Sequence, residues 1–101
     1  MNAVRITMLV PPERERAIED ALKLVDINAM VCMKSRGYGG HPNFYAKDWT
    51  NEIVLIELFV SKQQLPAIRD KLRDICAFDG ESGCVFVTSE VSELFPVGGH
   101  T

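Results

Sequence analysis

Glu52-Ile-Val-Leu-Ile-Glu-Leu-Phe-Val60 is the stretch on which the fold turns. Every position in it except Glu52 and Glu57 is apolar. A strand points successive side chains to opposite faces, so Val54, Ile56, Leu58 and Val60 share one side and Leu55 and Phe59 the other. A strand that is apolar on both sides needs cover on both. A chain of 101 residues buries only about two-thirds of its unfolded surface. One layer of helices can cover one side; the expectation is that further copies of the chain cover the other, which also stabilises a small domain.

Working outward, Val4, Ile6, Met8 and Val10 alternate with Arg5, Thr7 and Leu9, a strand with one wholly apolar face. Pro11-Pro12 ends it, and Pro12 suits the first turn of a helix, where Glu13 and Glu15 meet the favourable end of the dipole. Ala17, Ile18, Ala21, Leu22 and Val25 form a helical stripe ending near Asp26, with Glu15, Arg16, Glu19 and Asp20 assigned to the solvent side. Met30 to Arg36 reads as a second strand. Gly37 to Asn51 is then a loop of about fifteen residues, a length that marks a functional or mobile segment. Beyond the central stretch, Ser61 and Gln64 have capping-box spacing, although Pro66 delays the regular helix. Leu65, Ile68, Leu72, Ile75 and Cys76 make the second stripe, Asp79 to Gly83 a turn, Cys84 to Thr88 a strand, and 96–101 a flexible tail. The order βαββαβ is that of a ferredoxin-like α+β sandwich: an antiparallel sheet with both helices on one face, in one domain spanning 1–101.

Eleven Lys and Arg against fourteen Asp and Glu give a net charge of -3, which argues against a nucleic-acid binder. No apolar run is long enough to span a membrane and the N-terminus lacks the pattern of a signal peptide, so a cytoplasmic protein without membrane insertion is expected. The three cysteines are odd in number and form no C-x-x-C pair; Cys32, Cys76 and Cys84 read as small core residues. No Ser-His-acid order, metal-ligand spacing or Walker loop is present, so neither an enzyme nor a metal site is expected.

Gly37-Tyr-Gly39 followed by Gly40-His-Pro-Asn-Phe-Tyr45 resembles the start of the T-loop of the PII signal-transduction family. Val54 to Val60 resembles the strand returning from that loop, and Gly80-x-x-Gly83 before Cys84-Val-Phe-Val87 resembles the B-loop and last core strand. With the helices in register, the resemblance covers nearly the whole chain. It implies a homotrimer that binds a small effector in clefts between subunits and regulates a partner, often a membrane transporter, through the T-loop. Carried over, it implies that Arg36, Gly37, Tyr38, Gly39, Glu57, Leu58, Phe59, Gly80 and Gly83 line the ligand, and that His41, Phe44, Tyr45 and Trp49 meet the partner. Glycines let backbone N–H groups approach an anion closely, and a glutamate on an apolar strand asks for a partner.

The departures from the family narrow the ligand. The basic and amide tripeptide before Gly-His is missing, Cys84 stands at a basic B-loop position, and Phe95-Pro-Val-Gly98 replaces the basic C-terminal loop. A triphosphate needs cationic partners that this pocket has lost. ATP with 2-oxoglutarate is therefore not expected; ADP or AMP, a small anion such as bicarbonate, or no nucleotide remain open, with no resident cofactor. Branches of this kind include carboxysome- and bicarbonate-associated proteins and others linked to metal efflux, so the alternative is a metal-tolerance accessory trimer. Thr50 stands where the family's modified tyrosine falls, and no uridylylation is expected.

Overall fold

β1 (Ala3–Val10), α1 (Pro12–Leu22), β2 (Ala29–Gly37), β3 (Asn51–Ser61), a 3-10 turn (Lys62–Gln64), α2 (Leu65–Cys76) and β4 (Val85–Val91) follow one another along the chain. The structure is a computed structural model and describes residues 2–25, 27, 29–38, 44, 45, 47, 50–76, 84–95 and 97. The strands form one antiparallel sheet in the order β2-β3-β1-β4, with β1 joined to β3 from Ala3↔Ser61 to Val10↔Val54. This is the expected ferredoxin-like α+β order.

The core follows from strand parity. Val4, Ile6, Met8 and Val10 of β1 lie beside Val60, Leu58, Ile56 and Val54 of β3 on one face. Ile18 and Leu22 of α1 and Ile68 and Leu72 of α2 close over them, and no member of this cluster exceeds 3% exposure. Each such side chain contributes about 1.5–3 kcal/mol through burial. Both helices are thus committed to one face. On the other, Val31, Met33 and Val87 are 49%, 56% and 53% exposed. Leu9, Leu55, Phe59 and Val85 are half-buried among them. The two-sided apolar character of β3 is real: the helices cover one side of it, and on the other Ile53 alone of the β3 side chains is buried among the described residues.

Two elements end more than a residue away from the expectation, and one boundary agrees with it. α1 stops at Leu22, not near Asp26, because the next turn tightens: Leu24 N–H donates to Ala21 O at 3.3 Å and Val25 N–H to Leu22 O at 3.1 Å. Leu24 is left exposed. β4 begins after Cys84 and runs to Val91, since Thr88, Ser89 and Glu90 continue the pairing with Ile6, Arg5 and Val4 whatever their polarity. At the start of α2, Gln64 Oε1 accepts from the Ser61 N–H at 3.2 Å and from its hydroxyl at 3.1 Å. Regular helix then starts at Leu65, with Pro66 in the first turn, where a missing N–H costs no bond. The expected turn at 79–83, the tail beyond 97 and most of the 37–51 loop lie outside the described residues.

Candidate functional site

Three features meet at one end of the sheet. β2 ends there at Arg36, paired with Glu52, and Gly37, paired with Asn51. The Arg36 guanidinium donates to Thr50 Oγ1 at 3.0 Å, which ties the two stems of the 37–51 loop across its base. β1 ends there too, feeding Pro12 of α1, and β4 begins there, with Val85 beside Leu9. Between α1 and the β2–β3 stem lies a groove of about 520 Å³ lined by Glu15, Lys34, Arg36 and Glu52, among others. Two cations face two carboxylates in it, so it is close to neutral. Beside α2 and β4 is a second cavity of about 340 Å³, lined by Met8, Arg69, Arg73, Cys76, Cys84 and Phe86, among others.

A Cβ added at Gly37 would meet nothing nearer than Ile53 Cγ2 at 3.9 Å, an ordinary contact. The chain's own packing therefore does not demand glycine at that position. Tyr38 is half exposed, Phe44 67% and Tyr45 fully exposed. Gly39, His41, Trp49, Gly80 and Gly83 lie outside the described residues.

The strand residues assigned to the ligand are elsewhere. Leu58 has no exposure and packs beneath the helices, so its side chain serves the core. Glu57 and Phe59 point to the helix-free face. Glu57 accepts a hydrogen bond from Thr7 Oγ1 at 3.0 Å, which is the partner that its place on an apolar strand called for. Phe59 pairs with Arg5 and Ala29, while Gly37 pairs with Asn51. Eight residues of strand separate Asn51 from Phe59, roughly 26 Å at the rise of an extended chain. Within one chain, then, Arg36, Gly37 and Tyr38 come together, but Glu57 and Phe59 do not join them.

Two groupings escaped the sequence reading. Glu15 and Glu19 are half-buried against β2, not on the solvent side, and with Cys32 they place three ligand atoms within 4.8 Å of one another. The Cys32 thiol donates to Glu19 Oε1 at 3.5 Å. Burial first, then that bond and the charges of Glu19 and Glu15, push the thiol up to about 11. The i, i+4 spacing of the two glutamates was the available signal. The second grouping is Cys76 with Cys84, whose thiols hydrogen-bond to each other. All three cysteines are half-buried and pack against the core cluster, in keeping with their reading as small core residues.

No family model and no curated protein matches the chain. Solved structures do. A DUF3240 family protein from Shewanella baltica OS155 superposes with a TM-score of 0.77 over 96% of this chain and 98% of its own, at 11% identity. This chain shares that protein's fold. The Arabidopsis thaliana PII bound to citrate matches at a TM-score of 0.73 and 18% identity, over 95% of this chain and 81% of that one. Bacillus subtilis GlnK matches at 0.69 and 12%, over 91% and 87%. At these identities the shared property is the PII-like architecture. Among the described residues, no helix is long and apolar enough to cross a membrane.

Proposed function

We propose that the protein is a PII-type regulator, not an enzyme, that assembles as a homotrimer through its helix-free sheet face, in the cytoplasm. The observation that carries this reading is the separation of Arg36–Tyr38 from Glu57 and Phe59 along the sheet. Residues set roughly 20–26 Å apart along the sheet can line one pocket only when a neighbouring subunit supplies half of it. The exposed Val31, Met33 and Val87 give that neighbour an apolar surface to bury.

The effector is a small anion or a weakly charged adenylate such as ADP or AMP. Lys34 and Arg36 supply positive charge at the loop base, but Glu15 and Glu52 offset it, which does not suit a triphosphate. Proteins of this fold have been captured with citrate and with ATP, so it accommodates both ligand classes. The 37–51 loop, with Phe44, Tyr45 and Trp49, signals to a partner protein such as a transporter, with Gly80 and Gly83 approaching the ligand from the B-loop.

Light scattering tests the assembly: about three times 11.3 kDa is expected, and a monomer mass overturns it. Calorimetry with AMP, ADP, ATP and bicarbonate tests the ligand. AMP or ADP should bind at least as well as ATP, without a magnesium-dependent gain from 2-oxoglutarate. A second reading, a metal-tolerance accessory trimer, is favoured by one observation, the Glu15–Glu19–Cys32 cluster. Zinc, copper or cobalt titration that gives stoichiometric binding in the wild type and none in Cys32→Ala, with no nucleotide response, would select it.

A further inference from the structure

We propose that Cys76 and Cys84 form a reversible dithiol–disulfide couple at the junction of α2 and β4, a redox site separate from the effector cleft and from Cys32. Cys76 is the last residue of α2 and Cys84 directly precedes β4. Both are free thiols, both are half-buried, and both line the same 340 Å³ cavity.

The surroundings assign the roles. The Cys84 thiol donates a hydrogen bond to the Cys76 sulfur, and the Arg14 guanidinium adds positive charge; together they lower the Cys76 thiol below its ordinary value against the opposing effect of burial. Cys84 is pushed the other way by the same bond, then by burial and by the Cys76 thiolate. Cys76 is therefore the attacking sulfur and Cys84 the resolving one.

With a low-molecular-weight disulfide such as oxidised glutathione, the steps balance. The Cys76 thiolate attacks one sulfur of the disulfide, forming a mixed disulfide and expelling one glutathione thiolate. Cys84 loses its proton to solvent and attacks the Cys76 sulfur, closing the Cys76–Cys84 bond and expelling the second thiolate. Two electrons leave the protein and two glutathione molecules are formed. Cys32 stays out of the exchange, because its thiol is held up to about 11 and bonded to a carboxylate.

The test equilibrates the folded full-length protein with oxidised and reduced glutathione, blocks remaining thiols with iodoacetamide, and digests after Glu81, which lies between the two cysteines. The expected result is a Cys76–Cys84 cross-linked peptide pair that reduction separates, with Cys32 alkylated. Cys84→Ser should accumulate a glutathione mixed disulfide on Cys76, whereas Cys32→Ala should behave as wild type. Alkylation of both Cys76 and Cys84 under oxidising glutathione overturns the proposal, as does a disulfide that links Cys32 or joins two chains. Circular dichroism of each variant before oxidation confirms that a folded protein is being read.

Discussion

Thr7 and Glu57 sit directly opposite each other on β1 and β3, and the Thr7 hydroxyl holds Glu57 Oε2 at 3.0 Å. Across the sheet this row reads Val31, Glu57, Thr7, Val87, so the polar pair is flanked on both sides by half-exposed valines. A carboxylate flanked by apolar side chains must find donors, and Thr7 supplies one from within the same chain. A hydrogen bond to a charged group contributes about 1.5–3 kcal/mol, and less where water still reaches it.

Thr7→Val should therefore destabilise by about 1 kcal/mol, a drop in Tm of roughly 4–8 °C for a domain of this size. Glu57→Leu alone should cost less than Thr7→Val, because it removes the charge instead of stranding it. The Thr7→Val/Glu57→Leu double variant should recover most of the loss. A double-mutant cycle on urea midpoints measures the coupling; strict additivity would show that the pair does not interact.

The two faces of β3 predict opposite outcomes for the same kind of substitution. Ile56 has no exposure and packs under the helices. Ile56→Asp places an unpaired carboxylate there and should cost about 4–5 kcal/mol or more, enough to unfold the domain. Val31→Asp, on the helix-free face, should leave the circular dichroism spectrum native while light scattering falls to the monomer mass. A folded Val31→Asp trimer would remove that face from the interface.

The two-faced β3 was legible because alternation is a property of the strand alone, and Val54 to Val60 state it without reference to anything else. The capping of α2 by Ser61 and Gln64 was legible for the same reason. What escaped the reading depends on which neighbour an element meets. Glu15 and Glu19 looked solvated because a helix stripe reports its own apolar side. It does not report that its flank rests on the edge strand carrying Cys32. Cys76 and Cys84 are eight positions apart in the sequence, and a spacing outside C-x-x-C says nothing of whether both line one cavity. Leu58 shows parity and burial agreeing: it shares a face with Val54, Ile56 and Val60, and its side chain lies in the core.

Gly37 separates a structural glycine from a functional one. Since the nearest atom to an added Cβ is Ile53 Cγ2 at 3.9 Å, Gly37→Ala should fold with an unchanged or slightly raised Tm. If the ligand approaches the backbone there, the affinity for ADP or AMP should fall about tenfold or more, equivalent to about 1.4 kcal/mol. Calorimetry that finds equal affinity for both proteins would move the ligand away from the loop base. Arg36→Ala, which also cuts the tie to Thr50, should weaken binding and raise hydrogen exchange at the loop stems together.

Cys32 makes a prediction about pH whose sign is fixed by its surroundings. Folding buries the thiol, bonds it to Glu19, and places it near the charges of Glu19 and Glu15, so it rises from the ordinary 9.0 to about 11. The raised value means that the folded state prefers the protonated thiol. That contribution to stability is fully present below pH 9.0 and is lost as pH climbs from 9.0 through 11. The useful quantity is the difference between wild type and Cys32→Ala, in which contributions common to both proteins cancel. Urea midpoints should show a constant gap between the two proteins up to about pH 8.5, narrowing from there to pH 11. Glu19→Gln keeps an acceptor for the thiol but removes a charge. Cys32 should then react faster with iodoacetamide at pH 8 than in the wild type. A gap independent of pH, together with unchanged alkylation in Glu19→Gln, would mean that Cys32 does not feel the glutamates across the α1–β2 contact.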